Sequence, residues 1–257
     1  MILTIDTGNT HTVLGIWKNN GLLNSVRVST VANRTANEWS WIINAWLGGI
    51  GKPEGISAAI FSSVVPVVDE ILIETFKLLK IEKILQVNNK MNFPFQWDRD
   101  SYPNLGADRL ANAAAGVELF GKNLIIADFG TAITFCLLIE GVYQGGVIVP
   151  GIQTSLKSLS EKASNLPQIY FKKKDQILGT DTRSSIESGI YYGYKGVCRE
   201  ILGELGYIYQ KHLENLPLVT IATGGVASDL GFIHEFFNIV DPDLTLKGLL
   251  HIYKLNV

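Results

Sequence analysis

Residues 3–16 read Leu3-Thr4-Ile5-Asp6-Thr7-Gly8-Asn9-Thr10-His11-Thr12-Val13-Leu14-Gly15-Ile16. Residues 125–138 read Ile125-Ile126-Ala127-Asp128-Phe129-Gly130-Thr131-Ala132-Ile133-Thr134-Phe135-Cys136-Leu137-Leu138. Each is an apolar strand, then Asp-x-Gly, then a short link carrying Thr, then a second apolar strand. Lined up by spacing, Asp6 matches Asp128, Gly8 matches Gly130 and Thr12 matches Thr134. Both second strands end at turn signals, Asn19-Asn20-Gly21 and Glu140-Gly141, and third strands are expected over 22–28 and 142–149. One Asp-x-Gly is ordinarily just a turn, because Asp bonds locally and Gly takes positive φ. Two copies, each between apolar strands, indicate a duplication.

Working outward, residues 36–47 and 67–79 carry apolar side chains at helical spacing, and 57–65 reads as a buried strand that Pro66 ends. A further helix is expected from near Gly106 to Leu119. In the second half, 182–209 reads as a long helix with glycine breaks and 218–222 as a strand. Gly224-Gly225 reads as a turn, with another helix from Val226 onward. Strands mixed with helices in two similar halves imply an α/β duplication with a cleft between the halves. The expected division is 1–120 and 121–257, near Gly121-Lys122-Asn123.

The totals narrow the function. A chain of 257 residues, 47% hydrophobic and 18% charged, buries a substantial core. Net charge is −2, and the densest basic cluster, Lys172-Lys173-Lys174, reads as a solvated loop, so no nucleic-acid partner is expected. Cys136 and Cys198 form neither a disulfide framework nor a metal spacing, and read as buried thiols in a reducing compartment. Asp6 interrupts the apolar start, so no secretory signal is read there, and no apolar run is long enough to cross a bilayer. The expectation is a soluble cytoplasmic protein without membrane contact.

Glycine directly after a strand lets the backbone approach a phosphate closely. Asn9, Thr10, Thr131 and Thr134 add hydroxyls, an amide and N–H groups that meet phosphate oxygens. Asp6 and Asp128 are poor phosphate ligands by themselves, but they suit a hard cation placed between carboxylate and phosphate. Two such hairpins facing each other would clamp a polyphosphate.

With these residues, the chain resembles the acetate kinase, sugar kinase and actin superfamily, and more narrowly type III pantothenate kinase from end to end. The matching blocks are Asp6-Thr7-Gly8-Asn9-Thr10, Gly106-Ala107-Asp108-Arg109 and the stretch Asp128 to Thr134. Gly145 to Gly151, Thr182, Thr223-Gly224-Gly225 and Asp241 to Leu249 match too, in order and spacing. The resemblance implies a duplicated ribonuclease H-like (actin-like ATPase) α/β fold with the active site in the cleft. It also implies phosphorylation of pantothenate by ATP to 4′-phosphopantothenate, entering coenzyme A synthesis.

By the same resemblance, ATP is bound through Asp6, Thr7, Gly8, Asn9, Thr10, His11, Thr12 and Val13, and through Thr131. Asp128 holds a monovalent cation, K⁺ or NH₄⁺, and Asp6 acts through Mg²⁺. Gly106, Ala107, Asp108 and Arg109 hold pantothenate, with Asp108 the proton acceptor, and Tyr102 lines the pocket. Thr182 contacts pantothenate from the neighbouring subunit of a homodimer.

Simpler readings stand beside these roles. Asp108-Arg109 also suits any helix start, where an acidic residue is favourable. Thr182 suits a helix N-cap, and Pro103-Asn104 a plain turn. Two departures from the family pattern are visible. Cys136 stands where an Asp is usual, on the strand face of Thr134, which implies a weaker potassium dependence. The stretch Tyr102-Pro103-Asn104-Leu105-Gly106 is shorter than usual. The alternatives to the pantothenate reaction are a kinase for another hydroxylated substrate and a regulator that has lost turnover.

Overall fold

The computed structural model describes residues 1–51, 55–162, 169, 171, 176–213 and 216–257. The Lys172-Lys173-Lys174 cluster lies outside the described residues. The chain divides into two compact units, residues 1–118 with 244–257, and residues 119–243.

In the first unit, β1 (Ile2–Thr7), β2 (His11–Lys18), β3 (Gly21–Ser29), β4 (Ala58–Ser63) and β5 (Lys83–Gln86) form a sheet in the order β3-β2-β1-β4-β5. The β1–β2 and β2–β3 pairs are antiparallel, and β4 and β5 join in parallel. Leu3, Ile5, Leu14, Ile16, Ala59 and Phe61 alternate onto one face, where α1 (Ala36–Gly49) and α2 (Pro66–Leu78) cover them with Trp39, Ile43, Val68, Leu72 and Phe76. Burying each such side chain contributes about 1.5–3 kcal/mol. Thr35 opens α1 through a capping box with Glu38, and Pro66 opens α2. Trp41 of α1 is 72% exposed, unlike its neighbour Trp39 in the core.

The second unit repeats the plan. Its strands are β6 (Leu124–Phe129), β7 (Ala132–Ile139), β8 (Val142–Pro150), β9 (Val219–Thr223) and β10 (Ile239–Val240), in the order β10-β9-β6-β7-β8. Three antiparallel strands and two parallel ones again share one sheet. Even the irregularities repeat. Opposite Ile16–Trp17 of β2 a bulge inserts Leu23 into β3, and opposite Leu137–Leu138 of β7 one inserts Gln144 into β8. Positive φ at Asn19 and Asn20, and at Glu140 and Gly141, makes both following hairpins tight two-residue turns.

Some expectations need correction. α5 (Thr182–His212) is unbroken across its glycines, held by Tyr191, Tyr194, Cys198, Leu205 and Tyr209 in the core. The helix expected from Val226 is two short 3₁₀ turns, Ala227–Asp229 and Ile233–Glu235, because Leu230-Gly231 interrupts any longer run. β5 and α4 (Ile152–Lys162) were not anticipated. The C-terminal helix α6 (Leu244–Leu255), within the range expected for the second half, packs on β1, β2 and β4 of the first unit. Two glycines admit it. A Cβ on Gly15 would lie 2.9 Å from the Leu246 side chain, and one on Gly248 would collide with the Ala111 carbonyl of α3 (Ala107–Phe120). Thr245 Oγ1 also donates to Asn112 Oδ1 at 2.7 Å.

Candidate active site

The first hairpin places Asp6 next to the end of β1, half-buried, where Ser62 of neighbouring β4 donates to Asp6 Oδ1 at 2.7 Å. Thr7 is buried, and its hydroxyl has no hydrogen-bond partner among the described residues. Gly8 N–H donates to the His11 carbonyl at 3.0 Å, which leaves Asn9 and Thr10 at the exposed tip. Thr12 is buried, 2.9 Å from Thr30 Oγ1, and Thr30 Oγ1 donates to the Gly8 carbonyl at 2.7 Å. His11 is exposed; partial burial, then the Arg27 charge, hold its imidazole below the usual histidine range. Val13 lies opposite Asp6 across the ladder.

The second hairpin is one residue shorter. Gly130 N–H donates to the Ala132 carbonyl at 3.1 Å, so only Thr131 sits at the tip. Asp6 faces Val13 whereas Asp128 faces Thr134. Thr134 therefore corresponds to Val13, not to Thr12 as equal spacing implied, and Asn9 is the extra residue. Asp128 shares its sheet face with Thr134 and with Thr223 of β9, directly opposite it. Thr223 Oγ1 is buried without a partner among the described residues. Gly224, at φ +96°, comes so close that a Cβ would lie 2.5 Å from Asp128 Oδ1 and 2.6 Å from Phe129 N.

Ahead of α3, residues 87–106 are packed by Phe93, Phe95 and Trp97, with ring centroids 5.2–5.5 Å apart. Arg99 lies over the Trp97 ring at 4.8 Å. Asn256, just after α6, clamps the segment by accepting from Asn92 N at 2.9 Å and donating to its carbonyl at 3.0 Å. Tyr102 is half-buried and its N–H donates to Asp98 O at 3.0 Å. Gly106 caps α3 by accepting from Leu110 N at 2.9 Å, and Ala107 begins the helix. Asp108 folds back over Gly106, where a Cβ would lie 2.5 Å from Asp108 Oδ1, and accepts from Arg109 N at 2.8 Å. A carboxylate here gains from the positive end of the helix. Asp108 and Arg109 are both half-buried.

Thr182 is exposed at the first position of α5, but the cap is Asp181, whose side chain accepts from Ser184 N at 2.8 Å. Cys136 is buried and accepts from Tyr143 OH at 3.6 Å, while burial pushes the Cys198 thiol up to about 12. Ser62, Thr30 and Thr223 are site residues to which the sequence reading gave no role. Ser62 was traceable as the first polar residue after the apolar run of β4, level with Asp6 in a parallel pair.

Among the described residues, no group of three or more His, Cys, Asp and Glu side chains is placed to hold a metal ion. The oxygen donors that do occur suit a hard cation sharing its ligands with phosphate: Asp6 beside Ser62, and Asp128 beside Thr134 and the unpartnered Thr223 hydroxyl. No helix among the described residues is long and apolar enough to cross a membrane.

Two units of one topology, each opening on an Asp-bearing hairpin, define the duplicated actin-like α/β class that includes sugar kinases. Solved structures agree at the level of fold. A ROK family glucokinase from Streptomyces griseus, in complex with glucose and AMPPNP, superposes with a TM-score of 0.51 at 14% identity over 99% of both chains. A conserved Baf family protein from Campylobacter jejuni gives a TM-score of 0.59 at 18% identity, over 98% of this chain and 97% of that one. Sequence narrows the class further. The type III pantothenate kinase family model matches residues 2–204. Type III pantothenate kinases from Geobacillus sp. (strain WCH70) and Halalkalibacterium halodurans are each 37% identical over the whole of this chain, covering 98% and 100% of their own lengths. The chain belongs to the type III pantothenate kinase family.

Proposed function

We propose that the chain transfers the γ-phosphoryl group of ATP to the primary hydroxyl of pantothenate, releasing ADP and 4′-phosphopantothenate on the way to coenzyme A. The observation that carries this reading is the end-to-end match to named pantothenate kinases, and the Asp108 carboxylate at the head of α3 supports it as a candidate base. The hydroxyl oxygen attacks the γ-phosphorus, the bond to the ADP oxygen breaks, and the hydroxyl proton passes to Asp108. Arg109 offers a forked donor for the pantothenate carboxylate, Tyr102 walls the pocket, and Thr182 of a second subunit completes it in a homodimer.

The first hairpin, Asp6 to Val13, holds the nucleotide phosphates, and Thr131 of the second adds a contact. Mg²⁺ on Asp6 would neutralise charge on the β- and γ-phosphates; K⁺ or NH₄⁺ on Asp128, Thr134 and Thr223 would do so from the second hairpin. Asp128 suffices for that cation, so activity survives the Cys136 departure. The proposed place of work is the cytoplasm.

The test is a coupled assay of ADP release in Mg²⁺ and K⁺, with and without pantothenate. Turnover that does not depend on pantothenate ends the proposal. For Asp108→Asn the expected outcome is a kcat loss of about 10²–10⁴-fold, with ADP binding intact. Near-normal turnover would assign the proton to another group.

A further inference from the structure

Each hairpin has a link carbonyl held from behind by a threonine hydroxyl. In the first unit, Thr30 follows β3 directly. Its N–H donates to the Thr10 carbonyl at 2.9 Å and its Oγ1 to the Gly8 carbonyl at 2.7 Å. In the second unit the residue following β8 is Gly151, whose N–H donates to the Thr131 carbonyl at 3.0 Å. Register makes Gly151 the counterpart of Thr30, since Ser29 pairs with His11 and Pro150 with Ala132. Gly151 cannot carry a hydroxyl, because a Cβ there would collide with the carbonyls of Gly130 and Thr131. Thr154, in the first turn of α4, brings a hydroxyl to the link at the next carbonyl along: Thr154 Oγ1 donates to the Thr131 carbonyl, the counterpart of Thr10, at 2.6 Å. The start of α4 is in turn tied to α5. Buried Tyr194 donates its hydroxyl to the Pro150 carbonyl at 2.9 Å, and Ser155 Oγ lies 2.6 Å from the Tyr194 hydroxyl oxygen.

We propose that Thr154 is a positioning residue for the nucleotide contact at Thr131, with Tyr194 fixing the helix that presents it. Carbonyl and N–H point opposite ways in a trans peptide. Two donors drawing the Thr131 carbonyl towards α4 therefore aim the Ala132 N–H away from α4, where this proposal puts the phosphate. A brace formed beforehand removes the cost of ordering the link when nucleotide binds. The backbone half of the brace is shared, since Thr30 N–H holds Thr10 as Gly151 N–H holds Thr131, whereas the hydroxyl reaches Gly8 in the first hairpin and Thr131 in the second.

This role rests on the reading of Thr131 as an ATP contact, and the experiment separates the two. Full-length Thr154→Val, Thr154→Ser, Tyr194→Phe and Thr131→Val would be compared for ADP affinity by calorimetry, KM for each substrate, kcat and melting temperature. Thr154→Val is expected to weaken ADP binding and raise the ATP KM about fivefold, the effect of one ordinary hydrogen bond. Its pantothenate KM and melting temperature should stay level, because Thr154 is exposed. Thr154→Ser should restore wild-type values, and Tyr194→Phe should follow Thr154→Val in direction. If Thr131→Val weakens ADP binding and Thr154→Val does not, the positioning role is overturned and the Thr131 contact stands. If neither changes ADP binding, the Thr131 contact falls and the positioning role falls with it. Both KM values rising together with a lower melting temperature would reduce the brace to a folding contact and also overturn it.

Discussion

The two hairpins share a plan and differ by one residue. Aligned on their register shifts and far turns, β1–β2 and β6–β7 correspond in pairing register residue for residue except at the tip, where Asn9 has no counterpart. That insertion shifts the partner of the carboxylate. Asp6 faces apolar Val13 and takes its hydrogen bond from Ser62, whereas Asp128 faces Thr134 and Thr223. The longer tip offers more N–H groups to phosphate, and the shorter one keeps its hydroxyls around the carboxylate. Under the proposed function this difference would suit two kinds of charge neutralisation, a divalent ion with phosphate at the first hairpin and a monovalent ion at the second.

The largest expected effect breaks the second hairpin alone. Gly224→Ala forces a Cβ onto Asp128 and the Phe129 backbone at a φ that disfavours one, and should cost about 2–4 kcal/mol of stability. Its register counterpart, Ser63→Ala, removes only the turn contacts with Val65 and should cost about 1 kcal/mol or less. Equal costs in thermal melts would show that the two sites are not differently built.

Gly248→Ala tests which unit owns α6. Collision with the Ala111 carbonyl should cost about 1–3 kcal/mol. Hydrogen exchange should speed up in β1 and β4, with β6 and β9 unchanged. Loss of protection in the second sheet instead would contradict the assignment.

The smallest effect concerns the brace of the first hairpin. Thr30→Val removes the bond to Gly8 and should raise the ATP KM about fivefold, with the pantothenate KM unmoved. An unchanged ATP KM would detach that brace from nucleotide binding.

Much of this was legible because the decisive pattern is local and occurs twice. Asp-x-Gly between apolar strands specifies a hairpin wherever it occurs, and the repeat turns a common signal into a rare one. The one-residue offset was hidden because Thr12 and Thr134 stand at equal distances from their glycines, so only strand pairing separates them. Ser62, Thr154 and the ownership of α6 depend on contacts between residues far apart in the chain, which periodicity does not report. The turns after Val226 failed as a helix because Gly231 lies within what would be its second turn.

The division of labour between the hairpins is tested most directly by a crystal structure with Mg²⁺, AMPPNP and Tl⁺, a heavy stand-in for K⁺ located by anomalous scattering. The expected result is Mg²⁺ joining the nucleotide phosphates to Asp6, directly or through water, and a Tl⁺ peak at Asp128. Thallium at Asp6, or a nucleotide that contacts neither carboxylate through an ion, would contradict it.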